Sequence, residues 1–88
     1  MTMQENPTKI FLDTLTVKTV PSLFQKRQEL FKAGLVDLSG LKEIDSAGVA
    51  FLVKWAKAQP SGTLRLEHVP KKATSLIDTY KLGTLFLS

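Results

Sequence analysis

Cysteine is absent from this sequence, and histidine is nearly so. Without cysteine, neither a disulfide framework nor a zinc site with thiolate ligands can form. His68 is the one histidine, so a serine–histidine–aspartate triad would have to use it, yet no nucleophile-elbow spacing surrounds it. Its place at the end of a predicted strand favours a surface residue, and too few ligands remain for a metal site. We therefore expect no enzyme, no metal and no cofactor.

Long apolar runs and clustered glycines are also missing. The five glycines are isolated along the chain, so there is no glycine-rich loop that could hold a phosphate group. The longest apolar run, residues 47–53, ends at Lys54, whereas a membrane-spanning helix needs roughly 20 such residues. Residues 1–7 lack the apolar segment of a signal peptide. We expect one cytoplasmic domain over residues 1–88, a length that suits a single core.

Acidic residues are fewer than basic ones. The sequence has 8 aspartates and glutamates and 12 lysines and arginines, which gives a net charge of +4. A basic balance is compatible with nucleic-acid binding. The lysines are scattered, however, with only Lys71 and Lys72 adjacent to each other, and no aromatic residues alternate with a basic cluster. An acidic protein partner or a solvated surface explains the charge equally well. We expect no nucleic-acid partner.

Short apolar stretches alternate with helical patterns along the chain. Short apolar or alternating runs predict strands, and apolar residues spaced by three and four predict helices. The predicted strands are residues 2–4, 8–12, 35–38 and 63–67, and the predicted helices are residues 20–31, 47–58 and 73–80. Thr19 can cap the first helix and Gly34 can end it in the left-handed conformation, while Gly83 can close the third. Residues 85–87 are expected to pack back on the domain.

The order of these elements predicts the fold class. Strands that are joined by helices pair in parallel through crossover connections. We predict an α/β fold with a mixed, mostly parallel sheet of about four strands and about three helices. Residues 35–38 form a nearly continuous apolar run, which is typical of a strand buried on both faces. We place this strand at the centre of the sheet.

The polar residues that are most suggestive of function lie where the central strand leads through a loop into the second helix. Asp45 and Ser46 stand at the start of that helix, where backbone N–H groups lack partners and the helix dipole favours negative charge. One interpretation is a helix cap, in which either side chain satisfies those N–H groups. Another is a recognition or phosphorylation point, since a phosphoserine is tolerated at a helix N-terminus. The two interpretations are compatible with each other.

An aromatic pair on the second helix also has two interpretations. Phe51 and Trp55 are four residues apart, and both are offset from the apolar stripe that begins at Val49. They either widen the stripe that faces the core or form a partly exposed anchor for a partner. Aromatic anchors of that second kind are common at protein interfaces. The sequence alone leaves both interpretations open.

Two segments resemble the signature of STAS domains, the fold shared by sulfate-transporter tails and anti-sigma-factor antagonists. Residues 36–40 read Val-Asp-Leu-Ser-Gly, and residues 44–52 read Ile-Asp-Ser-Ala-Gly-Val-Ala-Phe-Leu. In that family an Asp-Ser/Thr-x-Gly segment opens the helix after a central strand. Residues 12–16 are similar to the family's Leu-x-Gly-Glu-Leu-Thr segment, with Asp13 in place of the glycine. The resemblance covers most of the chain and implies the STAS fold.

The MlaB-like branch of this family is similar over more of the chain. Residues 45–48 lead into an alanine-rich helix with Trp55, and residues 69–82 are also similar to that branch. The resemblance implies a small, non-catalytic cytoplasmic subunit that a partner holds at the inner membrane. Such a subunit binds and supports the ATPase of an inner-membrane ABC transporter, which moves phospholipids and maintains outer-membrane lipid asymmetry.

The same resemblance implies the residues that meet a partner. Ser46 occupies the place of the family's functional serine or threonine, and in anti-sigma-factor antagonists the matching serine is phosphorylated. The candidate partner-binding residues are Asp45, Ser46, Gly48, Phe51 and Trp55, with Ser46 as the candidate phosphorylation site. The alternative function is therefore an anti-sigma-factor antagonist that binds an anti-sigma-factor kinase. The ATPase subunit is favoured because the resemblance extends into the last helix.

Overall fold

A parallel sheet of four strands forms the centre of the fold. The computed structural model describes residues 9–87. In spatial order, the strands of the main sheet are β1 (Lys9–Phe11), β3 (Leu35–Asp37), β5 (Leu64–Glu67) and β6 (Phe86–Leu87). A second parallel pair joins β2 (Thr14–Leu15) to β4 (Glu43–Ile44). The expected α/β class and mostly parallel sheet are confirmed, whereas the strand expected at residues 2–4 lies outside the described residues.

Helices carry the chain from each strand of the main sheet to the next. They are α1 (Val20–Gln25), α2 (Arg27–Leu30), α3 (Ser46–Lys57) and α4 (Lys71–Thr79), and a 3₁₀ helix, Gly83–Leu85, precedes β6. α1 and α2 lie between β1 and β3, α3 between β3 and β5, and α4 between β5 and β6. Parallel neighbours require such crossover connections. None of the helices within residues 9–87 is long and apolar enough to cross a membrane.

Burial separates a core face of the main sheet from an open face. Val36 and Leu66 are register partners in β3 and β5, and both are buried in the core that the helices cover. Leu35 and Arg65 form the neighbouring row, which lies on the opposite face because side chains alternate along a strand. Arg65 is exposed there, but β3 is buried along its whole length, as expected for the central strand.

The first predicted helix is broken in two at Lys26, whose N–H bonds to the carbonyl three residues back. Such a tight bond interrupts the α-helical pattern and ends α1 there. The expected cap at Thr19 is wrong, because its hydroxyl donates at 2.9 Å to the carbonyl of Thr14 and does not accept from the helix. The expected left-handed end at Gly34 is also wrong. Among glycines of the described chain, only Gly62 has a positive φ.

Helix α4 ends in a left-handed residue, but that residue is Lys81 and not the glycine expected. Lys81 has a φ of 58°. Its N–H bonds to the carbonyl of Asp78, and the N–H of Leu82 bonds to the carbonyl of Ile77. This pair of bonds is a Schellman motif, which satisfies carbonyl groups at a helix C-terminus. Gly83 instead begins the 3₁₀ helix.

The last described segment packs back on the domain, as expected. Phe86 and Leu87 pair in parallel with Leu64 and Arg65, so β6 lies beside β5 in the main sheet. Phe86 is partly buried against the core, whereas Leu87 is exposed. The chain therefore adds one strand to the sheet after α4, where the sequence predicted only a packed tail.

Candidate functional site

Helix α3 begins at a cap that its sequence predicts. Asp45 is extended, and its Oδ1 accepts hydrogen bonds from the N–H groups of Ala47 at 2.9 Å and Gly48 at 3.2 Å. Its Oδ2 accepts from the N–H of Val17 at 3.0 Å. The cap interpretation is therefore confirmed for Asp45. The same carboxylate also ties the start of α3 to the turn that follows β2.

These hydrogen bonds also fix the charge of Asp45. The N–H of Val17 contributes most, and those of Gly48 and Ala47 add to it, so the pKa of Asp45 lies below its usual value of 3.8. Hydrogen bonds to a carboxylate stabilise its charged form, and here they outweigh the opposing effect of partial burial. Asp45 is thus an anion whose two oxygens both accept bonds within the fold, which gives it a structural role.

Gly48 was a candidate partner-binding residue, and the structure corrects this. It is buried one turn into α3, where the backbone of Leu15 in β2 lies against it. A Cβ added at Gly48 would overlap the carbonyl oxygen of Leu15 and lie 2.7 Å from its Cβ. Glycine is therefore required for the close approach of β2 to α3. The role that the structure gives Gly48 is packing against Leu15.

Ser46 is the exposed residue at this helix start. It is the first residue of α3, next to the capping Asp45. Within residues 9–87, the Ser46 hydroxyl makes no hydrogen bond to another side chain or to the backbone. Its exposure makes Ser46 accessible to a docking partner. The helix dipole favours negative charge at this end, so a phosphate group on Ser46 would be tolerated as well.

An apolar groove of about 490 Å³ begins at Ser46 and follows the outer side of α3. We call it the α3 groove. Helix α3 forms one wall, and the end of α4 with the turn after it forms the other. The lining residues are Ser46, Val49, Ala50, Val53, Lys54, Lys57, Tyr80 and Leu82. Tyr80 is 48% exposed at the rim, so the groove joins the exposed serine to an aromatic side chain and two lysines.

Phe51 and Trp55 belong to the core, which corrects the interpretation of an exposed aromatic anchor. Their exposed fractions are 1% and 0%, and neither lines the α3 groove. Their rings pack against each other at a centroid distance of 5.9 Å, and Phe31 packs on both at 5.6 and 5.4 Å. The indole Nε1 of Trp55 donates to the carbonyl of Ala33. Phe31 covers both rings. Phe51 and Trp55 therefore widen the stripe of α3 that faces the core.

A cluster of charged side chains on the open face of the sheet was missed by the sequence analysis. Nζ of Lys9 lies 3.0 Å from Oε1 of Glu67 and 3.8 Å from Oδ2 of Asp37. Nδ1 of His68 lies 3.1 Å from the same Oδ2. The N–H of Ser39 is the first cause that lowers the pKa of Asp37 from 3.8, and His68 adds to it. The buried carboxylate of Asp37 therefore has three partners, which are the ammonium group of Lys9, the imidazole of His68 and the N–H of Ser39.

Three groups of this cluster could ligate a metal ion in principle. Ligand atoms of Asp37, Glu67 and His68 lie within 4.8 Å of one another, although the sequence offered too few ligands for any such site. Lys9, however, already bridges the two carboxylates. A cation at this place would compete with its ammonium group, and the geometry is that of an ion-pair network. Strand register creates it, since residues 37 and 67 are partners in β3 and β5.

A second cavity, of about 520 Å³, opens where β1 ends and the loop after β3 begins. Its lining includes Phe11, Lys18, Ser22 and Gly40. Phe11 is 66% exposed there. This cavity shares no residue with the α3 groove. The loop at residues 39–45 therefore has one end at this cavity and the other end beside Ser46.

Comparison with known families gives one match. The family model described as "Mlab, STAS domain" matches residues 4–87, which is nearly the whole chain. No curated protein matches the sequence.

Proposed function

Since the chain belongs to the family of MlaB-like STAS domains, we propose that it is a non-catalytic subunit that binds the ATPase of an inner-membrane ABC phospholipid transporter. STAS domains are in general binding or regulatory domains rather than enzymes. The proposed subunit supports the activity of the ATPase and thereby helps to maintain outer-membrane lipid asymmetry. It is cytoplasmic and reaches the membrane only through its partner.

The placement of Ser46 is the single observation that carries this proposal. Its exposed hydroxyl stands on the first turn of α3, and the apolar α3 groove begins beside it. An uncharged hydroxyl next to an apolar groove can be covered by a protein at a small desolvation cost, whereas a buried charge would be expensive. The surface therefore suits a docking contact.

A second candidate function rests on the same serine. Ser46 is exposed at a helix N-terminus, and the dipole there favours a phosphate group. In this alternative the chain is an anti-sigma-factor antagonist, and a partner kinase switches it by phosphorylating Ser46. Phosphate would add up to about two negative charges next to the α3 groove and would release the partner.

Affinity purification separates the two functions. The tagged chain is purified from its own cells at native expression level, and bound proteins are identified by mass spectrometry. The proposal expects an ABC ATPase and a Ser46 without phosphate, together with a membrane-barrier defect when the chain is deleted. Capture of a kinase with stoichiometric phosphate on Ser46, and no ATPase, would replace the proposal by the alternative. A matched control is Ser75→Lys on exposed α4, which should keep the partner that Ser46→Lys loses.

A further inference from the structure

The charge of the α3 groove has one sign. Lys54 and Lys57 line it, and among the residues that the structure describes no carboxylate does so. Within the described chain, neither lysine takes part in a salt bridge. The two lysines are three residues apart on α3, a spacing that places them side by side on the helix surface. Like charges so placed repel each other, and an external carboxylate would relieve that repulsion.

The shape of the groove restricts its occupant further. Helix α3 has 12 residues and is about 18 Å long. The groove follows it from Ser46 at one end to Lys57 at the other. Tyr80 and Leu82 form the opposite wall, on either side of the left-handed Lys81. A concave apolar trough of this length matches one face of a helix, as in other helix-in-groove complexes.

We infer that the segment seated in the α3 groove is an amphipathic helix of the partner ATPase, with its apolar side chains between Val53 and Tyr80 and its carboxylates facing Lys54 and Lys57. The inference rests on the proposed function and adds the chemistry of the docking segment. Apolar contact in the trough holds the complex, and the opposite charges speed and orient its formation.

An anionic membrane surface is the competing occupant, because it too combines apolar and negative groups. The geometry favours the helix. Membrane-binding surfaces present protruding apolar side chains to the lipid, whereas the apolar lining here lies in a trough between α3 and the end of α4. Val49, which lines the trough, is 2% exposed, so a flat lipid surface would reach almost none of it.

Charge reversal tests the inference on the complex of the full chain with its captured ATPase. The test variant is Lys54→Glu with Lys57→Glu. The control is Lys71→Glu with Lys72→Glu, which makes the same change in net charge on the exposed start of α4. At low salt we expect the test variant to associate with the ATPase at least about tenfold more slowly than the wild type. The association rate of the control should change far less. High salt should reduce the difference, because it screens exposed charges.

Two further measurements keep the result interpretable. Lys54→Gln with Lys57→Gln removes the charge without reversing it and should give a smaller loss, and a thermal melt of each variant verifies folding. A photo-crosslinking residue at exposed Ala50, which lines the groove, should then label an acidic helix of the ATPase. The same residue at Ser75 should not do so.

The outcomes distinguish this inference from the proposed function. Equal losses for the two lysine pairs, or crosslinks from Ala50 to a non-helical or basic segment, would overturn the inference while the ATPase remains the partner. Lysine-dependent binding of the isolated chain to vesicles of equal parts phosphatidylglycerol and phosphatidylcholine, without crosslinks to the ATPase, would assign the groove to the membrane. If the wild-type chain captures no ABC ATPase, both ideas fail together.

Discussion

The indole Nε1 of Trp55 donates a hydrogen bond of 2.8 Å to the carbonyl oxygen of Ala33. Both residues are buried, and the bond spans 22 positions of sequence. It fastens α3 to the turn that leads into the central strand β3. An indole N–H in the core needs such an acceptor, so this tryptophan both fills the core and fixes the position of the helix that carries Ser46.

Truncation of Trp55 should therefore unfold the domain rather than remove a binding contact. Trp55→Ala should lower the free energy of unfolding by about 3–5 kcal/mol, because it leaves a large cavity. Trp55→Phe keeps a ring but leaves the Ala33 carbonyl without its donor, at a cost of about 1–3 kcal/mol. Urea denaturation followed by circular dichroism measures both. A Trp55→Ala protein with unchanged stability but lost partner binding would contradict the core assignment.

Gly48 offers a test of the close approach between β2 and α3. In Gly48→Ala the added methyl group would overlap the backbone of Leu15, and the required backbone shift should cost about 1–3 kcal/mol. Gly40→Ala is the control, since a Cβ there meets no atom within 4 Å. This control should be neutral or stabilising by up to about 1 kcal/mol. Comparable destabilisation of both variants would show that the contact with Leu15 is not the cause.

Much of the fold follows from local sequence pattern. The apolar stripe of α3 and the cap at Asp45 are set by residues a few positions apart, and both predictions are confirmed. The break at Lys26 carries neither proline nor glycine, so nothing in the local sequence signals it. The strands β2 and β4 have two residues each, which is too short for any period to appear.

The candidate site was predictable only where local chemistry defines it. The position of Ser46 at the start of α3 follows from the capping chemistry of these residues. The burial of Phe51, by contrast, depends on Phe31, which lies twenty positions earlier and covers the ring. The cluster of Asp37 and His68 depends on strand register, because Asp37 is the last residue of β3 and His68 directly follows the neighbouring strand β5. Contacts of this kind require the tertiary structure.

Lys81 occupies a backbone conformation that costs a non-glycine residue about 1–2 kcal/mol. Lys81→Gly should relieve this strain and raise the free energy of unfolding by about 1 kcal/mol, because glycine is the preferred residue at this place in a Schellman motif. Lys81→Ala removes the charge but keeps the Cβ, and it should give no such gain. Thermal melts rank the three proteins. An equal gain from alanine would point to charge rather than conformation.

Acid should destabilise the fold through Asp37 and Asp45. Both pKa values lie below the usual 3.8 in the folded state, so the unfolded chain binds protons more readily. The stability that these groups contribute is complete above pH 3.8 and is lost as the pH falls below it toward their folded pKa values. Melting temperatures measured from neutral to acid pH should therefore decline most steeply below that value.

An amide at position 45 identifies the part of this decline that Asp45 causes. Asp45→Asn keeps an oxygen for the N–H groups of Ala47 and Gly48, but its second group cannot accept from Val17. It should be less stable than the wild type at neutral pH and should lose less on acidification. Parallel pH profiles for the two proteins would show that Asp45 does not contribute to the acid response.

Substitutions at Ser46 separate the two functions in the proposed complex. Ser46→Asp should fold normally, because an acidic residue in the first helical turn suits the dipole and Asp45 still provides the cap. It should nevertheless weaken ATPase binding at least tenfold, about 1.4 kcal/mol, since it places an unpaired charge at the contact. Ser46→Lys should do the same, and Ser46→Ala should be mild.

The alternative function gives a different pattern for the same proteins. A phosphorylation switch requires that Ser46→Ala binds its partner constitutively, and that Ser46→Asp behaves like the released form. Binding measured in extracts with and without a kinase inhibitor distinguishes the two. Dependence on the inhibitor for the wild type, and not for Ser46→Ala, would contradict the docking role.

The bond from Val17 to Asp45 has a consequence for the thermodynamics of recognition. It joins the turn after β2 to the start of α3, 28 residues further along the chain, so the corner that presents Ser46 is fastened before any partner arrives. Ordering of loops and side chains at an interface opposes association, and a surface that folding has already fixed avoids most of that entropy loss. A small contact area around Ser46 can therefore support a specific complex, because the fold supplies the order in advance.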